Sequence, residues 1–293
     1  MINNKAISGI FYMLIASAFI GGTAVVAKVL GRDFFGDPLS PFQISHSRFL
    51  YGFIFVLLFS FICKIKIKSP NFKIHIARTS FGWMGVTILF GSSSLIPLND
   101  AVAINFSNPV FAMIFSIFLL KEKYIPYRWV AIMFTFIGAL ILIRPNFSNF
   151  YVDPVALVSI LGAVFLGFEA VFIKLLTKLE NNTQILLINN FIGLILSSFI
   201  VVFFWQTPTI FQLLFCILIG LLMICAQICF LMALRNNQLN FVIPFFYSTL
   251  IFVLFYDYII FRELPDFFSL LGSFLIIIGG IYLFLKEKTN NDF

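Results

Sequence analysis

Long apolar runs, separated by short polar, Gly- or Pro-bearing connections, fill this sequence from near its start to near its end. They fall near residues 6–30, 40–62, 74–97, 99–120, 127–144, 154–179, 183–204, 209–234, 237–261 and 266–285. Each is close to the ~20 residues a helix needs to cross the hydrocarbon core of a bilayer. Inside lipid every backbone N–H and C=O must find an internal partner, so runs of this kind are helices. The pattern predicts an all-α integral membrane protein with ten transmembrane helices. Spans three and four are divided only by residues 97–99, and spans seven and eight only by residues 206–208, which makes each pair a tight antiparallel hairpin.

Two stretches repeat one layout 141 residues apart. Glu122 and Glu263 each close an apolar run, and a glycine follows sixteen residues later, at Gly138 and Gly279. The chain therefore reads as two copies of one unit, 1–145 and 146–293, each with five spans. An odd number of crossings turns the second copy upside down relative to the first. That is an inverted repeat, an architecture of secondary transporters, with the binding site expected near the midplane where the halves meet. Pro109 and Pro244 interrupt spans four and nine and free backbone carbonyls there. Beside them stand Asn105, Ser107 and Asn108 in one half, and Tyr247, Ser248 and Thr249 in the other. Under the same offset Phe106 overlays Tyr247. Breaks that line a site are one reading, and kinks that only aid helix packing are the other.

Composition agrees with the pattern: 61% of the residues are hydrophobic and 11% charged, too few polar groups to cover a water-soluble globule. The net charge of +7 does not point to nucleic acid, because the basic residues sit in short connections rather than along one stripe. With the N-terminus inside, inner segments hold thirteen Lys and Arg, Arg78 and Arg128 among them, and outer connections three, Arg32, Arg144 and Arg262. The excess predicts both termini in the cytoplasm. Cys63, Cys216, Cys225 and Cys229 lie in or beside apolar runs and read as packing residues. Lys5 precedes a first run too long for a signal peptide, so that run is expected to be retained. Trp205, Tyr256 and Tyr258 lie near span ends, where aromatic rings anchor at the interface, while Trp83 sits deeper.

Ionisable groups at membrane depth are costly, at least about 2.5 kcal/mol on insertion scales, so each needs a reason. Glu169, about halfway along span six, is the first candidate for a proton-coupling or cation-binding group; a structural ion pair with Lys28, His46 or Arg48 is the competing reading. His46 titrates near neutral pH and can sense or shuttle a proton, or simply pack through a hydrogen bond. Arg48 can grip a carboxylate or phosphate bidentately, or bridge two helices. Lys28 and Lys174 are expected to snorkel toward opposite interfaces, and Asp257 to sit at an interface. Phe106, Asn108, Gln227, Tyr247 and Arg48 are the candidate substrate-binding residues, with Glu169 and His46 supplying charge. No metal site or cofactor is expected.

The run AVAINFSNPVFAMIFSIFLLKEKYIPYRWVAIMFTFIGALILIRP, from Ala101 to Pro145, resembles the EamA repeat of the drug/metabolite transporter superfamily. SRFL at Ser47–Leu50 is similar to the Arg-Phe pair of that family's second helix. The second-half run AQICFLMALRNNQLNFVIPFFYSTLIFVLFYDYIIFRELPD is similar to its helices eight to ten. PFFY at Pro244–Tyr247 and HIAR at His75–Arg78 look like members that resemble rickettsial S-adenosylmethionine transporters. The resemblance implies ten helices, an inverted repeat, a central cavity and transport without ATP. Gly22–Lys28 and the surroundings of His46 depart from it.

The expectation is a secondary transporter of a small metabolite, an amino acid, nucleoside or S-adenosylmethionine-like solute, working by alternating access in the bacterial inner membrane for export or exchange, with the S-adenosylmethionine likeness suggesting uptake or exchange. Protons are a candidate coupling ion. An enzyme, such as a lipid-modifying transferase, is disfavoured because the chain has no H-E-x-x-H, G-x-S-x-G or nucleotide-loop motif. A channel or a non-transporting assembly protein is the remaining alternative.

Overall fold

The computed structural model describes residues 4–65, 69–93, 95, 98–143, 154–262 and 264–290. Glu263 and Arg144, both used above, lie outside them. The described chain is helical: α1 (Asn4–Leu30), α2 (Pro41–Ile62), α3 (Phe72–Ser93), α4 (Leu98–Asn105), α5 (Asn108–Leu120), α6 (Pro126–Ile143), α7 (Pro154–Leu179), α8 (Asn182–Val201), α9 (Ile210–Arg235), α10 (Leu239–Val242), α11 (Ser248–Phe261) and α12 (Phe267–Asn290). Span four is α4 followed by α5. Span nine is α10, a 3-10 segment at Ile243–Tyr247, and α11. These make the ten membrane helices expected. Among the described residues nine spans are long and apolar enough to cross a bilayer on composition alone. The tenth, α3, carries His75 and Arg78, whose polarity is explained by what it faces.

The repeat is visible residue by residue. α4 and α10 begin at Leu98 and Leu239, and α5 and α11 end at Leu120 and Phe261, both pairs 141 apart. The next residue in each case turns left-handed, Lys121 with φ 55° and Arg262 with φ 58°. Packing follows a two-fold pattern as well. α1 lies along α9 as α7 lies along α3, and α11 packs on α1 as α5 packs on α7. The pairs α6–α12 and α2–α8 straddle the axis. Close approach sets the first of these: a Cβ on Gly138 would lie 2.7 Å from the carbonyl oxygen of Gly272, and one on Gly272 would lie 2.6 Å from that of Gly138. Small residues at such crossings let backbones meet where lipid supplies no hydrophobic drive between helices.

Both described chain ends lie at one end of the bundle, since Lys5 and Glu287 line the same surface cavity. Two of the residues assigned above to inner connections are in fact helical and buried. Arg78 is 2% exposed on α3, and Arg128 is 4% exposed on α6 beneath Glu287. Lys174 does not snorkel: it is buried, and its Nζ donates to the carbonyls of Leu234 and Asn237 at the end of α9. Lys28 pairs with Asp257 at 3.0 Å and lies 4.3 Å from the Phe261 ring centre.

Candidate functional site

Pro109 has no N–H, so the carbonyl of Asn105 loses its helical donor. The chain tightens there, with Ser107 N–H donating to Ile104 O at 3.0 Å, and the side-chain amide of Asn108 fills the vacancy by donating to Asn105 O at 2.8 Å. The carbonyl of Phe106 is taken by Tyr247 Oη at 2.8 Å. In the second repeat Ser248 Oγ donates to Phe245 O and Thr249 Oγ1 to Phe246 O, both at 2.7 Å. The carbonyls of Asn105, Phe106, Phe245 and Phe246 beside the two breaks are therefore met by the protein's own side chains. The breaks shape the site without presenting those four carbonyls to it.

Beside the two breaks opens a cavity of about 270 Å³, walled by α1 to α5 of the first repeat and by α7, α8, α9 and the 3-10 segment of the second. Charge enters it from three helices: Arg48 on α2, Arg78 on α3 and Glu169 on α7. Arg78 Nε stands 4.0 Å from Glu169 Oε1, within ion-pair range and beyond hydrogen-bond length. The Arg78 side chain is 3% exposed and that of Glu169 26%, so the carboxylate meets the open space while the guanidinium is sunk in the wall. Arg48 Cζ lies 4.4 Å from the centre of the Phe49 ring, a cation–π contact. Among the described residues Arg48 Nε and Arg78 Nε and Nη1 are buried without a hydrogen-bond partner.

Gly82 makes room for the carboxylate. A Cβ there would lie 2.5 Å from Glu169 Cδ and 2.6 and 2.7 Å from its two oxygens, so any side chain at 82 displaces it. Arg78, Gly82 and Val86 recur every four residues and therefore share one face of α3. The uncharged lining adds amides, Asn189 and Gln227, and aromatic surface, Trp83, Phe106, Phe230 and Phe246. Asn189 Oδ1 accepts from Thr79 Oγ1 at 3.1 Å, and Gln227 Oε1 from Asn190 Nδ2 at 3.3 Å, so both amides are fixed in orientation. Two further cavities, of about 20 and 360 Å³, meet the central one at Arg48 and Val86. One lies between α2, α3 and α8; the other reaches Gly31, Leu39 and Pro41 in the α1–α2 connection, at the end of the bundle opposite the termini.

Of the residues expected at the site, Phe106, Asn108, Gln227, Arg48 and Glu169 line this cavity. Tyr247 does not: it is fully buried and spends its hydroxyl on Phe106 O. His46 is absent from the lining as well. Its Nδ1 is 3.1 Å from Ser197 Oγ, and its ring meets Trp205 edge-on at 6.4 Å. The base within ion-pair distance of Glu169 is Arg78, which was not among the three weighed from sequence; of those three, Arg48 lines the same cavity and acts on Glu169 electrostatically. Arg78 escaped attention because it follows Lys73 and His75 closely and reads as the tail of a charged connection. The signal that finds it is its place six residues inside a helix that starts at Phe72.

The sequence profile of the EamA-like transporter family matches residues 7–144 and 154–285. The chain is 26% identical over 281 residues to the S-adenosylmethionine uptake transporter of Rickettsia bellii (strain RML369-C), covering 96% of this chain and 94% of that one. It is 24% identical over 295 residues to the riboflavin transporter of Rhizobium johnstonii (strain DSM 114642 / LMG 32736 / 3841), covering 97% and 93%. A solved crystal structure superposes with a TM-score of 0.82 at 14% identity, covering 96% of this chain and 98% of that one, which is a likeness of fold.

Proposed function

Because the chain belongs to the EamA-like transporter family, a family of small-molecule membrane transporters, we propose that it is a secondary carrier of an amphiphilic metabolite of the S-adenosylmethionine kind. It works by alternating access, one repeat rocking against the other, in the bacterial inner membrane with both termini in the cytoplasm. The observation that carries this reading is the cavity between the two repeats, where Arg48, Arg78 and Glu169 stand beside amide and aromatic surface. A purely apolar ligand gives no return on three ionisable groups held at membrane depth. The S-adenosylmethionine uptake transporter of Rickettsia bellii, similar over 96% of the chain, supports that solute ahead of uncharged riboflavin. Uptake or exchange fits that likeness better than export.

The test is transport by the purified protein in proteoliposomes exposed to a metabolite pool containing S-adenosylmethionine, with lumen contents weighed by mass spectrometry. Enrichment over empty vesicles, with counterflow of labelled solute, is expected of a carrier. A folded protein that enriches nothing under acidic or alkaline gradients sinks the reading. Glu169 is the candidate proton-coupling group, so Glu169→Gln is expected to flatten the pH profile of transport. A variant that keeps the full profile ends its candidacy.

A further inference from the structure

We infer that the central cavity reads the amino-acid end of its substrate: a carboxylate seats on Arg48 and Arg78, an ammonium on Glu169, and the solute is a zwitterion with an α-amino-carboxylate head. The inference rests on the carrier reading above and narrows its substrate class. Its first support is a charge count. Among the described residues two guanidinium groups and one carboxylate line the cavity, so a guanidinium remains for a substrate carboxylate even when Glu169 is engaged by an ammonium, and the head group, neutral overall, leaves the charge of the site unchanged. Other basic side chains within the spans are committed elsewhere, Lys28 to Asp257, His75 to Glu180, Arg128 to Glu287, Lys174 to two carbonyls, and His46 to Ser197.

Hydrogen bonding gives independent support. A guanidinium carries five N–H donors and no acceptor, and it cannot shed its charge to escape an unmet bond. Among the described residues Arg48 Nε and Arg78 Nε and Nη1 have no hydrogen-bond partner, although Arg78 is only 2% exposed. Buried polar groups are nearly always paired, so three unmet donors on two adjacent cavity residues ask for an acceptor that arrives from outside. A carboxylate supplies two oxygens with the geometry a guanidinium fork matches.

Glu169 completes the head-group site. Its carboxylate faces the open space, is held there by the gap at Gly82, and is not closed onto Arg78, which stays at 4.0 Å. It is therefore free to accept an ammonium while Arg78 turns to the substrate carboxylate. Phe106, Phe230 and Phe246 provide an apolar wall for the rest of the molecule. Opposite charges placed a few ångströms apart select against molecules that carry only one of them, because the unmatched protein group is then left buried.

The experiment uses the full chain in proteoliposomes and inhibition of S-adenosylmethionine entry by two unlabelled probes, S-adenosylmethionine itself and its decarboxylated form. For the wild type, loss of the carboxylate is expected to weaken inhibition at least tenfold. In Arg78→Gln and in Arg48→Gln the two probes are expected to differ by less than threefold, because the group that told them apart is gone; Arg78→Lys is expected to restore part of the difference. A wild type that takes both probes equally, or variants that weaken both alike, overturns the inference while the carrier reading stands. The wild-type comparison decides the matter even if a variant fails to fold. If no solute is carried at all, the carrier reading falls and takes the inference with it.

Discussion

The two ends of the bundle are tied by different chemistry. At the end that carries the termini, charged side chains bridge helices. Glu122 accepts from Leu239 N–H at 2.7 Å and Asn240 N–H at 2.9 Å, so the end of α5 caps the start of α10. Glu180 accepts from Asn71 N–H and from His75 Nε2, both at 2.8 Å, joining the end of α7 to the start of α3. Arg235 reaches Asn182 and the carbonyl of Glu180, and Arg128 meets Glu287 at 2.7 Å. At the opposite end the ties run largely to main chain: Gln43 to Gln206, Thr209 to Phe35, Gln212 to Asp37. Stacked rings accompany them, Phe42 on Phe204 and Phe35 on Phe215. They join the α1–α2 connection to the α8–α9 connection and leave the gap between α2, α3 and α8 that leads to Arg48. Charged bridges thus close the terminal end, while at the other end the cavities that meet the central one reach the α1–α2 connection; under the proposed carrier cycle the two conditions would be exchanged.

Three measurements sharpen or break this contrast. The largest effect is expected from Arg128→Ala, which leaves Glu287 with Tyr127 as a donor but removes the cation from a pair whose side chains are 5% and 13% exposed. Breaking a buried pair by removing one partner costs about 3–5 kcal/mol, read as a lowered thermal midpoint in detergent. A midpoint within 2 °C of the wild type would remove Arg128 from those bridges.

Glu180→Ala comes next, leaving Asn71 N–H and His75 without their acceptor at a cost of about 1–3 kcal/mol. Its more telling readout is access. In a protein whose four native cysteines are replaced, Thr79→Cys is expected to react severalfold faster with an impermeant thiol reagent from the terminal side once Glu180 is gone. Equal rates would mean that this contact does not close the pathway. The smallest effect is assigned to Gln43→Ala at the opposite end, about 1 kcal/mol for its bonds to one neighbouring backbone. It is expected to leave labelling at position 79 unchanged. A larger loss than Arg128→Ala produces would reverse the ranking of the two ends.

Much of this architecture was legible in the sequence because lipid permits so few backbone solutions. Span lengths, the 141-residue offset, and the breaks at Pro109 and Pro244 all follow from local rules, and the structure carries each of them. Depth along a span was legible too, which is why Arg48, Glu169 and Gln227 reach the cavity. Direction around a span was not. In a soluble helix polar residues mark the outer face, but here lipid and protein interior are both apolar, so α1 and α2 carry little sign of which side faces inward. Hence Tyr247 and His46, at suitable depth, point away from the cavity, and Lys174 turns to carbonyls 60 residues and more along the chain. Arg78 was lost for a different reason: its helix begins earlier than its polarity suggests.

The bond from Tyr247 to Phe106 links two positions that the repeat maps onto each other. Two equivalent points can touch only where the symmetry axis passes between them. If the halves trade shapes during a cycle, most contacts are carried from one arrangement to their counterparts, whereas a pair of equivalent positions such as this one is carried onto itself, and here the two already touch. Its spacing is consequently the same before and after, a fixed datum inside a moving machine. Probes placed elsewhere report how far each half has travelled; a pair placed here reports whether the travel was a true exchange, because any lengthening of that one distance means the halves have separated instead of swapping roles.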